Sequence, residues 1–521
     1  MDANPTEEFT IEGPSAEEIR SLSRRLGFDI EDGEISVYLE AMTSTLRHNY
    51  QRLHELPEST LPVKYPREAG YRPGPAENPY NAWSWRCDVI GAQSGKLQGK
   101  TIAIKDNIPV AGVLMTSGSR MLENYVPDHD ATVVSRILDA GGRITGKAVC
   151  EEWCFTATSC TAFTGPVVNP HDETRMALGS SSGSAALVAG GHVDMAMGGD
   201  QGGSIRIPSA ACGIVGLKPT YGLVPYTGIV PVDLLLDHTG PMARTVSDVA
   251  LLLEVVAGLD GDLDPRQPPD LGTPVSYITE LKGDISTLRI GVLQEGFEIP
   301  GADSKIMSFL RESAGRFSTL GATVEEVSVP MHFDGNFLKA QQRQQQLHLF
   351  PTLIYMIQKL LNGYNSDARG FVDTSLQKAI WRGLQSHAND LSAAGKLTLM
   401  LGAYVHEKFH GVFHGKAINL SRKLCEEYDK ALESYDVLVL PTIVKKPPKV
   451  QNRSQMEFGT AFDFCQNTGP FNVTGHPALS INAGFSDGLP VGMMIVGRKF
   501  DEATVLNVAF AYEKMRDSKS L

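Results

Sequence analysis

Hydrophobic residues recur every three or four positions in the first sixty residues, which is the spacing of one face of an α-helix. Ser15 followed by Glu18 is a capping-box pattern that predicts a helix over 16–26, and Gly27 is a stop signal. We expect the next apolar stripe to pack on the body of the protein, with a dimer contact as the alternative. Its members are Ile35, Leu39, Met42, Leu46, Tyr50 and Leu53.

From about Gly99 the pattern changes to short apolar strands that alternate with helices. A strand over 101–104 ends at Lys105, and Asp130 is placed to cap a helix over 131–140. This rhythm predicts an α/β fold with a largely parallel sheet covered by helices on both faces. Further strands are expected at Arg143–Val149, Leu288–Leu293, Val437–Leu440 and Val491–Val496.

The chain divides into three kinds of sequence. Six prolines between Pro57 and Pro79 predict an extended linker, so residues 1–80 form a helical section and linker. Between Met331 and Leu440 a Gln-, Leu-, Lys- and His-rich segment with only Pro351 to interrupt it predicts a helical insertion, placed at 326–425. The main α/β domain then consists of two parts, 81–325 and 426–521.

Composition excludes several classes of protein. The 521 residues carry a net charge of −13, which argues against nucleic acid or an anionic membrane as the main partner. The acidic, polar N-terminus predicts no signal peptide, and the longest uncharged stretch is too rich in Gly and Ser to span a membrane. Seven cysteines without regular pairing predict a reduced, cytoplasmic protein.

The chain contains more glycine than an average protein, and much of it lies in one segment. Residues 179–222 contain eleven of the 51 glycines, and they form two loops that carry hydroxyls, 180–182 and 202–204. Each loop precedes a plausible helix start, where free N–H groups favour developing negative charge. A hydroxyl beside such groups is what acyl transfer requires. A linker is disfavoured by the apolar segment between the loops, and a phosphate-binding loop by the lack of a following Gly-Lys-Thr.

These loops belong to a longer series of motifs that resembles the amidase-signature hydrolases. The resemblance extends from about residue 80 to 510, and the layout is most similar to broad-specificity amidases of nitrile-degrading bacteria. Three positions depart from the family pattern: Leu178, Ser182 and Gly199 stand where the family has two glycines and a threonine. The matching segments are 105–107, 178–186, 198–208, 212–220, 475–480 and 488–498.

The resemblance implies a Ser–cis-Ser–Lys triad. Ser204 would be the nucleophile, Ser180 the bridging serine after a cis peptide, and a neutral Lys105 the base. The backbone N–H groups of residues 201–204, namely Gln201, Gly202, Gly203 and Ser204, would hold the oxyanion. It also implies a mixed, twisted central sheet, a small-molecule amide substrate and no cofactor or metal. A homodimer is expected as well.

Supporting residues follow from the same resemblance. Ser181 would either donate to the triad or cap the helix that follows it. Asp200 and Arg206 would form an ion pair beside the nucleophile, with a role in stabilising the fold as the alternative. Phe155 and Leu236 would line an apolar pocket suited to aliphatic or aromatic acyl groups.

Another motif suggests different chemistry. His406-Glu407-Lys408-Phe409-His410 is an H-E-x-x-H pattern, which on a helix could bind zinc with Glu407 as general base. The third ligand is open between Asp429 and Glu426, and His414 is too close for the longer zinc-peptidase spacing.

Two further alternatives have weaker support. Gly179–Gly183 formally matches G-x-S-x-G with Ser181 as nucleophile, but the preceding segment, 169–178, is polar and does not predict the required strand. Family members also serve as the transamidase component of a tRNA-dependent amidotransferase. The excess of acidic over basic residues and the N-terminal helices favour a free-standing hydrolase instead. Cys150 and Cys154 are expected to be buried thiols.

Overall fold

The structure, a computed structural model, describes residues 11–272, 275–335, 370–454 and 463–518. It consists of two compact units, Met1–Leu61 and Pro62–Leu521. None of the described helices is both long enough and apolar enough to cross a membrane.

The first unit is helical, as the apolar spacing predicts. Both bonds of the capping box are present: Glu18 N donates to Ser15 Oγ over 3.3 Å, and Ser15 N donates to the Glu18 carboxylate over 2.7 Å. Gly27 ends the first helix with a φ of 84°, a conformation that glycine adopts without strain. The second stripe continues through one π-helical turn, Leu46–Tyr50. The α-helices are α1 (Ala16–Leu26), α2 (Asp32–Thr45) and α3 (Gln51–Glu55).

Over its described residues, the second unit is built on an eleven-stranded sheet, with a separate two-stranded ribbon of β4 and β5. The strands are β1 (Trp83–Ile90), β2 (Thr101–Lys105), β3 (Arg143–Ala148), β4 (Val168–Asn169), β5 (Asp172–Met176), β6 (Met195–Asp200), β7 (Val215–Lys218), β8 (His238–Ala243), β9 (Arg289–Leu293), β10 (Thr323–Val327), β11 (Val437–Pro441), β12 (Ala478–Ser486) and β13 (Leu489–Gly497).

The sheet is mixed, so the largely parallel sheet predicted from the rhythm alone is wrong, whereas the mixed sheet implied by the family resemblance is confirmed. Its order is β1-β3-β2-β6-β8-β7-β12-β13-β11-β9-β10. Only β3-β2, β2-β6, β11-β9 and β9-β10 pair in parallel. The others are antiparallel, in part because Asp487 and Gly488, at φ 50° and 78°, close a tight hairpin between β12 and β13.

Helices cover both faces of this sheet. Ile102 and Ile104 of β2 pack in one apolar cluster with residues of α4 and α7, whereas Ala103 packs in another with α5. Alternate residues of a strand point to opposite faces, so the two clusters lie on opposite sides. The α-helices of this unit are α4 (Thr132–Asp139), α5 (Ser182–Ala189), α6 (Arg206–Cys212), α7 (Val246–Val256), α8 (Gln294–Phe297), α9 (Ser304–Gly315), α10 (Thr374–His387), α11 (Ala393–Phe409), α12 (Val412–Ser434), α13 (Gly469–Val473) and α14 (Glu502–Ser518).

Two local predictions are wrong. Asp130 does not cap α4; its carboxylate instead accepts bonds from Arg67 Nη1 (2.5 Å) and Ala111 N (2.9 Å). The segment before Gly179 does contain a strand, β5, but this strand pairs with β4 outside the main sheet. The polar residues of this segment argued against a strand. They are tolerated in β5 because the ribbon is not buried on both faces.

Helices α10, α11 and α12 lie in the segment where the sequence predicts a helical insertion. The last of them runs to Ser434, beyond the boundary predicted at residue 425. Pro351 lies outside the described residues.

Helix α5 approaches the sheet closely because of one glycine. A Cβ on Gly183 would lie 2.3 Å from the Ala82 carbonyl oxygen and 2.5 Å from Val149 N, both backbone atoms. We therefore expect Gly183→Ala to lower the free energy of unfolding by about 1–3 kcal/mol, the range for overpacking a core. Thermal or urea unfolding measures this.

The matched control is Gly315→Ala at the end of α9, where an added Cβ meets nothing within 4 Å. Its stability should stay equal or rise slightly, because alanine favours a helix over glycine. Equal stability of the two variants would contradict the close packing of α5.

Candidate active site

Two neighbouring strands bring the predicted catalytic residues to one edge of the sheet. Strands β2 and β6 are parallel neighbours, and they end at Lys105 and Asp200. Ser204 lies in the short loop between β6 and α6, and Ser180 lies just before α5. Ligands bind at the carboxyl ends of parallel strands in α/β folds, so this edge is where a site is expected.

Lys105 and Ser180 are in direct contact. Lys105 Nζ lies 2.9 Å from Ser180 Oγ and donates to the Gly199 carbonyl over 3.0 Å. Both side chains are fully buried. The peptide bond between Gly179 and Ser180 is cis.

The loop that carries Ser204 is tied to the loop that carries Ser180. Ser181 N donates to the Ser204 carbonyl over 3.1 Å, and Thr468 Oγ1 donates to the Gly202 carbonyl over 2.6 Å. Gly203 has a φ of 137°, and a Cβ there would lie 2.2 Å from Thr468 Oγ1. Only glycine fits this position, and Ser204 next to it remains 6% exposed.

Four backbone N–H groups are expected to bind the oxyanion, but one of them already has an acceptor in the protein. Gly203 N donates to Asp200 Oδ1 over 2.6 Å, so this N–H is already engaged. Among the described residues, no protein acceptor binds the backbone N–H of Gln201, Gly202 or Ser204.

The ion pair expected between Asp200 and Arg206 is present and fully buried. Arg206 Nε and Nη2 each donate to the Asp200 carboxylate over 3.0 Å. Burial alone would raise the pKa of Asp200, but the adjacent guanidinium outweighs burial and holds this pKa well below its usual range. The same carboxylate accepts from Gly203 N and Ile205 N, so the ion pair fixes the backbone on both sides of Ser204.

Of the two roles expected of Ser181, capping of α5 by its hydroxyl is not seen. Its hydroxyl donates to the Gly199 carbonyl over 3.1 Å and accepts from Gly199 N over 3.2 Å, and it makes no capping bond to α5. The Gly199 carbonyl therefore receives bonds from both Ser181 and Lys105. Leu178, one of the departures from the family pattern, is buried with a φ of 60°, a conformation that favours glycine.

Phe155 and Leu236 lie in one apolar cluster beside the triad residues. This cluster also contains Leu376 and Ile380 of α10 and the buried thiols of Cys150 and Cys154, among others. Glu151, which lies between these two thiols in the chain, donates its N–H to the Ser180 carbonyl over 3.1 Å, so the apolar cluster adjoins the triad residues.

Sequence reasoning missed several residues at this site. It passed over Thr468 and Asn472, whose bonds to the nucleophile loop and to Arg206 span more than 250 positions of sequence. No local pattern marks such contacts; the motif around His476 is the nearest signal in the chain.

The H-E-x-x-H pattern does not form a metal site in the described part of the chain. Helix α11 ends at Phe409, and His410 leaves it with a φ of 51°. The rings of His406 and His410 lie 6.4 Å apart between centroids, but no third ligand among the described residues joins them. The candidate third ligand Asp429 accepts a bond from His476 over 2.9 Å. Among the described residues, the one group of three side chains that could hold a metal is Cys425, Asp429 and His476.

Comparison with known proteins identifies the family of this chain. Residues 82–506 match the sequence model of the family described as Amidase. An enantioselective amidase from Rhodococcus rhodochrous is 42% identical over 95% of this chain and 95% of its own length. A glutamyl-tRNA(Gln) amidotransferase subunit from Methanosarcina acetivorans is 35% identical over 83% of this chain and 87% of its own.

Solved structures of amidases and of an amidotransferase subunit also resemble this chain over most of its length. The corresponding glutamyl-tRNA(Gln) amidotransferase subunit of Thermotoga maritima matches with a TM-score of 0.66 and 31% identity, over 82% of this chain and 85% of that one. The peptide amidase of Stenotrophomonas maltophilia matches with a TM-score of 0.64 and 28% identity, over 81% and 83%. The chain therefore belongs to the amidase signature family of amide-hydrolysing enzymes.

Proposed function

We propose that this protein hydrolyses carboxylic acid amides through a triad of Ser204, Ser180 and Lys105. The observation that carries the proposal is the 2.9 Å contact between Lys105 Nζ and Ser180 Oγ, in a buried site whose loops also hold Ser204. A serine needs a base to become a nucleophile, and a lysine that contacts it through a second hydroxyl can serve as one.

The first half of the reaction forms an acyl-enzyme. Ser204 Oγ attacks the amide carbonyl carbon while its proton passes to Ser180 and the proton of Ser180 passes to a neutral Lys105. The oxyanion accepts hydrogen bonds from the open N–H groups of Gln201, Gly202 and Ser204. The proton then returns through Ser180 to the leaving nitrogen, the C–N bond breaks, and ammonia or an amine departs.

The second half uses the same groups in reverse. Water attacks the Ser204 ester and gives its proton to the relay, and the tetrahedral intermediate collapses to the carboxylic acid as Ser204 recovers its proton. No cofactor takes part in this scheme.

The acyl group would lie against the apolar cluster that contains Phe155 and Leu236. This cluster offers buried aliphatic and aromatic surface, and it receives side chains from α10. We therefore propose small aliphatic or aromatic amides as substrates. A cytoplasmic location and a homodimer, both expected from the sequence, belong to the proposal as well, and size-exclusion chromatography tests the second.

Ser204→Ala is expected to abolish hydrolysis of a simple aromatic amide such as benzamide, by at least about 10³-fold in kcat, because the bond-forming oxygen is removed. Ammonia release measures this, and circular dichroism checks the fold.

The matched control is Ser209→Ala. Ser209 is buried like Ser204 but lies in α6. Within the part of the chain that the structure describes, its hydroxyl bonds only to the Ile205 carbonyl, one turn earlier, over 2.7 Å. This variant should keep its activity within about twofold. Full activity in Ser204→Ala would refute the assignment of the nucleophile.

Metal removal separates the triad from zinc chemistry. Since Ser204, Ser180 and Lys105 need no metal, dialysis against a chelator such as EDTA should leave kcat and KM for benzamide unchanged. If the chelator abolished activity and added Zn²⁺ restored it, the triad mechanism would be contradicted and a metal-dependent mechanism supported.

A second candidate function is that of the transamidase component of a tRNA-dependent amidotransferase. It is favoured by the relatives of that name that are about 35% identical over some 83% of this chain. Against it stands the enantioselective amidase, whose match also covers most of the first eighty residues.

The purified chain alone, assayed with benzamide, a short aliphatic amide and glutamine, decides between the two. A free-standing amidase should hydrolyse the simple amides without a partner and prefer them to glutamine. Activity on glutamine alone would support the transamidase, because that class draws ammonia from glutamine.

A further inference from the structure

Three side chains from two parts of the chain meet outside the triad. Cys425 and Asp429 lie four positions apart on α12, so they project from the same side of this helix. His476 lies in the segment between α13 and β12. Its Nε2 lies 2.9 Å from Asp429 Oδ1, and Cys425 Sγ lies 3.5 Å from Asp429 Oδ2. None of the three belongs to the triad or to the nucleophile loop.

The donor atoms of this cluster are those that zinc prefers. A thiolate, an imidazole nitrogen and a carboxylate oxygen are common zinc ligands, whereas Mg²⁺ and Ca²⁺ prefer oxygen ligands. The three atoms lie within 4.8 Å of one another. Bonds of about 2.0–2.3 Å would hold them about 3.3–3.8 Å apart around a tetrahedral zinc ion, so the side chains need to move little.

The buried ring of His476 is held in a way that suits a metal ligand. Its Nδ1 lies 2.8 Å from Thr474 Oγ1, and the ring makes an edge contact with Tyr428 at 5.9 Å between centroids. A hydroxyl can donate or accept, so Thr474 can accept the Nδ1–H that remains when Nε2 binds a metal. Such outer hydrogen bonds fix the tautomer and the orientation of histidine ligands.

A positively charged side chain already lies against the cluster. Lys499 Nζ is 2.7 Å from Cys425 Sγ and 3.7 Å from Asp429 Oδ2. The sulfur and the carboxylate therefore stabilise positive charge between them. The Lys499 side chain is 34% exposed and has a flexible stem, so its amine can move into solvent and leave its place to a metal ion.

The cluster is open to solvent on one side. Cys425 is the only one of the seven cysteines that is not buried, and all seven lie in the described parts of the chain. The Asp429 side chain is 53% exposed, whereas that of His476 is fully buried. A metal ion could therefore enter past Asp429, and the solvent side leaves room for water as a fourth ligand.

We propose that Cys425, Asp429 and His476 form a zinc site with water as the fourth ligand, and that the Lys499 amine takes the place of the metal when none is bound. Zinc binding displaces this amine and releases the thiol proton of Cys425 to solvent. The metal would tie α12 to the segment before β12. It adds no step to the proposed hydrolysis, so the chelator experiment with benzamide and the zinc titration below can fail independently.

The test uses the full-length protein, freed of metal with a chelator and then titrated with Zn²⁺ in competition with a chromophoric chelator. We expect one equivalent to bind with a Kd of about 1 µM or below, weaker than sites with four protein ligands. Co²⁺ in place of Zn²⁺ should give thiolate-to-metal charge-transfer absorption, because Cys425 supplies a sulfur ligand. Cys425→Ser should lack this absorption.

Variants at the partly exposed positions should change the affinity in opposite directions. Cys425→Ser and Asp429→Asn each remove a ligand and should weaken zinc binding by at least about tenfold, the least that an outer partner contributes. Lys499→Ala removes the competing amine and should strengthen binding several-fold. Glu426→Gln is the matched control and should bind as the wild type does, since Glu426 is an exposed carboxylate on α12 outside the cluster.

Absence of stoichiometric binding in the wild type would overturn the inference. Unchanged binding in Cys425→Ser and Asp429→Asn would overturn it too, because the zinc would then lie elsewhere. Weaker binding in Lys499→Ala would contradict the exchange of the amine for the metal. Thermal unfolding reports on folding and gives a second measurement: zinc should raise the Tm of the wild type but not that of Cys425→Ser, and equal shifts in both would contradict the site.

Discussion

The burial of the Lys105 amine is the constraint on which the site depends. The side chain is fully shielded from solvent, so each of its hydrogens needs an acceptor within the protein, and an unsatisfied one costs about 1–3 kcal/mol. The Gly199 carbonyl provides one acceptor because β2 and β6 are parallel neighbours. Ser180 is brought into reach by the close approach of α5, which Gly183 permits.

A second buried charge organises the nucleophile loop. Asp200 ends β6, binds Arg206 at the start of α6, and holds two backbone N–H groups between them. Removing either partner would leave the other charge uncompensated in the core, which costs about 3–5 kcal/mol. The ion pair therefore couples the stability of the fold to the geometry of Ser204, so stabilising the fold and supporting the nucleophile are not alternatives.

Much of the fold could be predicted from the sequence, because it follows local rules. The capping box at Ser15, the strand ending at Lys105 and the glycine-rich loops each have a short-range signal. Strand direction has none, so the antiparallel pairs needed the family resemblance. Asp130 was wrongly assigned as a cap because its partner, Arg67, lies 63 positions away.

The account depends most on Ser204 carrying the acyl group during turnover. The direct measurement is acid quenching of the wild-type enzyme during hydrolysis of benzamide, followed by peptide mass spectrometry. The account predicts a benzoyl adduct on the peptide that contains Ser204, and no adduct in Lys105→Ala, where the base is missing. A benzoyl group on Ser181 or Cys154, or rapid turnover in the wild type with no adduct on any peptide, would contradict it.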